Sequence, residues 1–273
     1  MECRCGNHLS LKNTLYETVT QVEGTKNKCL QCFFGGPTQY KTRTFNREDL
    51  HKTRDYLKDN KMKLYVHCPY VINLAREGDD GIITKSRDSL EKVIDTLHQV
   101  GPELTGGVLH IGARGSIGRV VRELNDIDLK APIYLENSAG EGTKIGKNID
   151  ELRLLAEGLD TPIKLCIDTC HAHSSTLCDF REMNQIDKLF DDLDFCKNEN
   201  LIFHLNDSLT NYGSKIDRHA PLCFGTIFNQ HNPDSLKNLA RFYQLAKMGG
   251  NDIIFETPNP VTDYFETNYW DQI

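Results

Sequence analysis

Ile163-Lys-Leu-Cys-Ile-Asp168 is a short apolar run that closes on a carboxylate, and Thr169-Cys170-His171 follows it directly. The run reads as a buried strand. Asp168, with His171 three residues on, can place a carboxylate and a neutral imidazole around one divalent, zinc-like ion. Three more stretches of this kind follow in order, His204-Leu-Asn-Asp207, Asp217-Arg-His219 and Phe255-Glu-Thr257. Taken together they read as one metal site.

Working outward, apolar runs like the first recur through the chain and predict eight strands, at residues 2–5, 29–34, 63–67, 107–110, 132–136, 163–168, 201–204 and 252–256. Between them lie helical patterns at 11–22, 47–60, 85–100, 118–124, 148–158, 181–198 and 234–248. The third is the clearest, because Leu90, Val93, Ile94, Leu97 and Val100 share a face and Gly101-Pro102 stops it. Strands alternating with helices indicate an α/β fold, a single (β/α)8 TIM barrel over residues 1–273, with a doubly wound open sheet as the competing arrangement. The barrel is favoured because polar residues of ligand type close at least six strands, and such folds assemble their sites at the C-terminal strand ends. Glycine-containing loops at 35–37, 78–81, 112–118, 140–146 and 213 read as site-building loops rather than domain boundaries.

With 38% hydrophobic and 26% charged residues, the 273-residue chain can bury a sizeable core. No run of about twenty apolar residues occurs and Met1-Glu-Cys-Arg4 lacks the apolar stretch of a secretory signal, so a soluble, intracellular, cytoplasmic protein without membrane association is expected. A net charge of −7 argues against diffuse polyanion binding, although divalent ions in one cleft, with Lys and Arg on its rim, would make that groove attractive to phosphate. The ten cysteines read mainly as reduced thiols and small hydrophobes. Cys3, Cys5, Cys29 and Cys32 keep a structural metal site or a disulfide open as alternatives.

The strand ends, in order, supply His67, His110, Glu136, Asp168, His204 and Glu256. One polar group at a strand end is unremarkable. Six, each directly after a buried apolar run, are costly without a compensating charge, which a metal cluster provides. Adding His171, Asp217 and His219 gives nine candidate ligands, enough for two or three ions when carboxylates bridge.

These residues lie in motifs that resemble those of the endonuclease IV type apurinic/apyrimidinic (AP) endonucleases: His67-Cys-Pro-Tyr-Val-Ile-Asn-Leu74, Leu135-Glu-Asn-Ser-Ala-Gly-Glu-Gly142, Cys166-Ile-Asp-Thr-Cys-His-Ala172, His204-Leu-Asn-Asp207, Gly213-Ser-Lys-Ile-Asp-Arg-His219 and Phe255-Glu-Thr-Pro-Asn-Pro260. The resemblance implies a (β/α)8 barrel holding three Zn2+ per chain. His67, His110 and Glu136 would hold the first, Glu136 would bridge to a second held by Asp168, His204 and Glu256, and His171, Asp217 and His219 would hold the third. It also implies hydrolysis of the phosphodiester 5′ to an abasic site in double-stranded DNA, leaving a 3′-hydroxyl and a 5′-deoxyribose phosphate, with 3′-phosphodiesterase or 3′–5′ exonuclease side activities. Glu136, Asp168 and Glu256 are the expected catalytic carboxylates. His8, Asn137, Asn206 and Asp207 are expected to support the ligands.

Tyr70 and Val71 occupy the family's wedge positions, and Thr38 and Arg218 complete the expected DNA contacts. The sequence departs from the family pattern twice. The loop 35–40 has Thr38 where some members carry an arginine, with Lys41 and Arg43 beyond, and His219-Ala-Pro-Leu-Cys-Phe-Gly225 has Cys223-Phe224 in place of a Gly-Glu pair. A monomer is expected. Two other readings remain: a sugar isomerase or epimerase, which would need fewer ions, and an abasic-DNA-binding module with weak turnover.

Overall fold

A computed structural model describes residues 3–196 and 200–257. In chain order the elements are β1 (Cys5–His8), α1 (Leu15–Val19), β2 (Cys29–Phe33), α2 (Arg47–Asp59), β3 (Lys63–His67), α3 (Asp80–Val100), β4 (Thr105–His110), α4 (Ile117–Asn125), β5 (Ile133–Glu136) and α5 (Ile149–Gly158). They continue with β6 (Leu165–Asp168), α6 (Thr169–Ser175), α7 (Met183–Asp192), β7 (Leu201–Leu205), β8 (Asp207–Ser208), β9 (His219–Ala220), α8 (Pro233–Gly249) and β10 (Asp252–Phe255). Eight strands pair in parallel and close in the order β1-β10-β7-β6-β5-β4-β3-β2, so the TIM barrel is confirmed and the open sheet is excluded. The short β8 and β9 form a separate antiparallel pair on the loop after β7.

The pleat explains why one sequence run serves both the core and the site. Side chains two apart share a face, and Cys29, Tyr65, Val108, Tyr134, Cys166, Ile202 and Ile254 form one apolar layer inside the barrel. Two residues beyond each stand Gln31, His67, His110, Glu136, Asp168, His204 and Glu256. The alternate residues, such as Leu64, Val66, Leu135, Leu165, Ile167 and Phe203, face outward into the larger core beneath the helices. Most helices begin on a side chain that accepts one of their free N–H groups: Asn46, Asp79, Ser116, Asn148 and Asn232 do so, and Thr14 forms a capping box with Glu17.

The structure moves several predicted boundaries: the helix predicted at 85–100 begins at Asp80, and the strands predicted at 107–110 and 163–168 begin at Thr105 and Leu165. The first strand is Cys5–His8 rather than 2–5, and residues 1 and 2 lie outside the described residues. Its sequence, Cys-Gly-Asn-His, carries little apolar signal because Gly6 is there for close approach: a Cβ at that position would fall 1.7 Å from the Cys29 carbonyl oxygen. The helix predicted at 11–22 is shorter, Leu15–Val19 followed by a 3-10 turn at Thr20–Val22. The helix predicted at 181–198 spans Met183–Asp192, and residues 197–199 are not among those described. Among the described residues no pair of cysteines forms a disulfide. Cys29 packs inside the barrel, while Cys5 and Cys32 belong to the outer core, so the pleat directs Cys29 and Cys32 to opposite faces.

Candidate metal centre

Strand register brings the ligand-type residues level with one another at the C-terminal mouth. His110 is the Cα partner of Glu136, and Asp168 that of His204. Glu136 is the hub: its Oε2 lies 3.2 Å from His67 Nε2 and 2.9 Å from His110 Nε2, and its Oε1 lies 3.0 Å from His204 Nδ1. His204 Nδ1 is also 3.5 Å from Glu256 Oε2 and 4.0 Å from Asp168 Oδ2.

Asp168 links this group to a second one carried by α6 and the β8–β9 hairpin. Its Oδ2 is 3.6 Å from His219 Nε2, which is 3.3 Å from Asp217 Oδ1, and Asp217 Oδ2 is 3.1 Å from His171 Nε2. All nine predicted residues thus form one continuous, largely buried cluster. Donor atoms of His67, Glu136, His204 and Glu256 lie within 4.8 Å of one another, and so do those of Asp168, His171 and His219. Cys170 also comes within range of Asp217 and His219, but burial pushes its thiol up to about 12.

The ring nitrogens that do not face the cluster are engaged elsewhere. His67 Nδ1 is 2.8 Å from the Cys68 carbonyl, His171 Nδ1 is 3.0 Å from the Asn137 carbonyl, and His204 Nε2 is 2.9 Å from Gln31 Oε1. An N–H donated to each of these acceptors leaves His67 Nε2, His171 Nε2 and His204 Nδ1 as lone pairs aimed into the cluster, the arrangement that ligating imidazoles adopt. The donor set of imidazoles and carboxylates therefore fits zinc-like divalent ions.

The electrostatics point the same way. Burial opposes ionisation of Glu136 and Glu256, yet neighbouring imidazoles hold both carboxyls well below the usual range, His110 and His204 for Glu136 and His204 and His8 for Glu256. Burial likewise opposes protonation of His171 and His219, but Asp168 and Asp217 outweigh it and raise them to about 10 and about 9. Without metal, protons supply the positive charge that these carboxylates demand.

Of the residues expected to support the ligands, three touch the cluster. His8 Nδ1 is 2.9 Å from Glu256 Oε1, Asn206 donates to Asp168 Oδ2 at 2.6 Å, and Asn137 Oδ1 accepts the Asp168 N–H at 2.7 Å while its own carbonyl holds His171. Asp207 behaves differently. Its carboxylate accepts the N–H groups of Ser208, Ile227 and Phe228 at 2.8, 2.8 and 3.1 Å, so it shapes the loop after β9 instead of orienting an imidazole. A Cβ at Gly225 would fall 2.3 Å from Asp207 Oδ1, which accounts for the glycine that follows Cys223-Phe224.

At the mouth, Tyr70 is half exposed and its ring packs against Phe33, His67 and His110 at centroid distances of 5.4, 5.1 and 5.2 Å. Its N–H binds the Pro37 carbonyl at 2.7 Å, which fastens the Thr38 loop beside the cleft. Val71 is half-buried, whereas Thr38 and Arg218 are exposed, Arg218 with its guanidinium on the Asp217 carbonyl. Phe224 projects with 66% of its surface exposed, next to Cys223 at φ 70°.

A family model described as a xylose isomerase-like TIM barrel matches residues 28–265. A protein of Halothermothrix orenii named "Probable endonuclease 4" is 30% identical across 94% of this chain and 98% of its own length. The chain belongs to the endonuclease IV family. A relative of the same name from Haloarcula marismortui is 28% identical over 82% of this chain and 83% of its own. The crystal structure of endonuclease IV from Thermus thermophilus superposes with a TM-score of 0.81 at 27% identity, covering 98% of each chain. A D-tagatose 3-epimerase-like protein reaches a TM-score of 0.68 at 14% identity, covering 98% of this chain and 96% of its own, which shows the shared barrel alone.

Within this endonuclease IV barrel, two residues at the site escaped the sequence reading. Gln31 holds His204 through Oε1, and its amide nitrogen contacts Glu256 Oε1 and His8 Nδ1. The signal was available, because Gln31 stands two residues after the inward-facing Cys29. Lys144 lines the cleft with Tyr70, His110, Asp217 and His219; its loop, 140–146, was expected to build the site, but the lysine itself was not singled out. The last three residues of the final motif, 258–260, lie outside the described residues.

Proposed function

We propose that this DNA-cleaving hydrolase is a zinc-dependent AP endonuclease acting on double-stranded DNA, cutting 5′ to an abasic site and leaving a 3′-hydroxyl and a 5′-deoxyribose phosphate. The observation that carries the reading is the continuous nine-residue cluster, whose extent exceeds what one or two ions of a sugar isomerase or epimerase require. Three ions would be held as follows: His67, His110 and Glu136; then Glu136, Asp168, His204 and Glu256; then His171, Asp217 and His219. Bound zinc supplies a nucleophilic hydroxide near neutral pH and charge neutralisation at the phosphate and leaving oxygen.

The protein's own groups do the rest. Glu256 has Oε1 engaged by His8 and Gln31, which leaves Oε2 toward the cleft to orient the attacking hydroxide. Glu136 and Asp168 fix the spacing of the donor groups. Tyr70 covers His67 and His110 and, with Val71, forms the wedge that fills the gap left by a missing base. Thr38 and Arg218 contact the flanking backbone. The same cleft accommodates 3′-blocked ends, giving 3′-phosphodiesterase or 3′–5′ exonuclease activity as side reactions. The protein acts as a monomer inside the cell; among the described residues no helix is long and apolar enough to cross a membrane.

The test is incubation of the metal-loaded protein with a duplex carrying one abasic site, with and without a strong chelator, together with metal analysis. Cleavage at the 5′ side that the chelator abolishes, with close to three zinc ions per chain, is expected. One ion or none in carefully prepared protein would sink the three-zinc assignment, and binding without cleavage would make the chain a binding module.

A further inference from the structure

Lys144 belongs to neither the strand-end pattern nor the donor set, yet it lies at the site. It is the one Lys or Arg among the described side chains lining the donor cleft, which otherwise presents His67, His110, His171, His219, Tyr70 and the carboxylates. It also lines a smaller recess beside that cleft, and Tyr70, His110 and Glu136 are shared by both. Lys144 therefore stands where the two recesses meet, its side chain about a third exposed.

The loop holds it there. The Lys144 N–H binds the Glu141 carbonyl at 3.1 Å, and the residue pairs antiparallel with Ala113 of the loop after β4. Lys144 Nζ is 2.6 Å from Glu141 Oε2, while Glu141 Oε1 accepts the Asp217 N–H at 3.0 Å. One carboxylate thus serves two ends: one oxygen fixes the loop that carries Asp217, and the other holds the lysine. A partly exposed ion pair of this kind contributes little to stability, so folding does not explain a cation at this place.

We propose that Lys144 is a phosphate-binding residue of the cleft, whose ammonium exchanges Glu141 for a non-bridging phosphate oxygen of the DNA strand being cut. The proposal rests on the DNA-cleaving reading given above. In the reading above the carboxylates of this mouth are taken up by metal, and a mobile point charge on a four-carbon stem beside them can meet a phosphate oxygen without demanding one fixed geometry. Because Glu141 keeps its second oxygen on the Asp217 N–H, the lysine can change partner without releasing that loop. A cationic phosphate contact has a signature that a structural role lacks: it displaces counterions, so each contact steepens the fall of affinity with salt.

The experiment compares wild type, Lys144→Gln and Lys144→Arg in cleavage and in equilibrium binding of an abasic duplex across a salt series, with metal content measured for each. For Lys144→Gln the expected result is unchanged metal content, KM raised about fivefold to tenfold at low salt, a loss seen in KM rather than kcat, and a log–log salt slope shallower by about one. Lys144→Arg restores most of both. An unchanged salt slope overturns the proposal, as does a lower kcat at unaltered KM. If wild type binds the duplex without cutting it, the cleavage reading fails and the binding slope still decides the role of Lys144. If wild type does not bind DNA, both fall.

Discussion

Asp168 and His171 are joined by a hydrogen bond that does two jobs: Asp168 Oδ1 accepts the His171 N–H at 2.7 Å, which caps α6 and fixes the spacing of the two side chains in the cluster. The other carboxylate oxygen receives Asn206 Nδ2 at 2.6 Å and faces His204 and His219. The Asp-x-x-His spacing is thus a helix start used as a ligand mount.

Two substitutions separate those jobs. Asp168→Asn keeps a capping oxygen on the His171 N–H but sets its NH2 against Asn206 Nδ2, so the metal-free protein should lose some stability while metal content falls by at least one ion. Asp168→Ala removes the cap as well and should cost about 1 kcal/mol more. Chemical denaturation of chelated protein and metal analysis check both, and equal metal content in Asp168→Asn and wild type would remove Asp168 from the ligand set.

Metal uptake should release protons. In the metal-free cluster the raised values of His171, about 10, and His219, about 9, leave both imidazoles protonated at about pH 7.5. A cation must displace those protons, so metal affinity rises with pH. The sign for folding follows from the same shifts. Each folded value lies above the unfolded one of about 6.5, so this stabilisation is complete below that pH and is lost as pH rises through about 9 and about 10. Calorimetry near neutral pH in buffers of different ionisation heat should show the release. No buffer dependence would mean that the imidazoles are already neutral.

Gln31 is expected to matter for metal affinity although it is not a ligand. It is fully buried and fixes the His204 ring through Nε2 while also contacting Glu256. Gln31→Leu keeps the bulk but strips the acceptor, and metal affinity should fall roughly 10–100-fold. Competition with a chromogenic chelator measures it; an unchanged constant would show that packing alone orients His204.

How far the site could be read in advance depended on chemistry rather than on position. The barrel and six of the nine ligand-type residues were legible because buried strands ending in His, Asp or Glu are costly and rare, whereas His171, Asp217 and His219 were read from their short motifs beyond the strands. The first strand was misplaced because Gly6 is selected for contact with Cys29 rather than for hydrophobicity. Helix α6 was missed because seven residues crowded with His and Ser carry no apolar stripe. Asp207 looked like support for an imidazole because it follows His204-Leu-Asn, but the chain turns there and its carboxylate meets backbone N–H groups instead. The loop of Lys144 was legible as site-building from its glycines, but the lysine itself was not, since its place comes from the fold of a loop on which no period acts.

Glu256→Gln tests the proposed orienting role. The amide preserves size and can still engage His8 and Gln31, but it presents an NH2 where the carboxylate Oε2 faced the cleft. Cleavage should fall by about 10²-fold or more, while affinity for an uncut abasic duplex changes far less. Single-turnover cleavage and binding measured side by side resolve the two, and unimpaired cleavage would exclude Glu256 from the mechanism.

The opposite end of the barrel should respond in the opposite way. There Asp252 is buried, accepts the Arg4 N–H at 3.1 Å, lies 3.3 Å from the Arg4 guanidinium, and receives the Tyr65 hydroxyl at 2.7 Å. Tyr65 sits in the apolar layer beneath His67, so the two side chains share a strand and a face yet meet different ends of the barrel. Tyr65→Phe removes one charge-assisted hydrogen bond and leaves the ring packed on Tyr134, which should destabilise the protein by about 1.5–3 kcal/mol. Metal content and cleavage rate should stay at wild-type levels, because keeping the ring keeps the floor on which His67 stands. Urea denaturation beside metal analysis checks both halves: lost stability with a full complement of metal assigns the N-terminal face to folding and the C-terminal face to chemistry, whereas metal lost in proportion would show that the layer under His67 is part of the site.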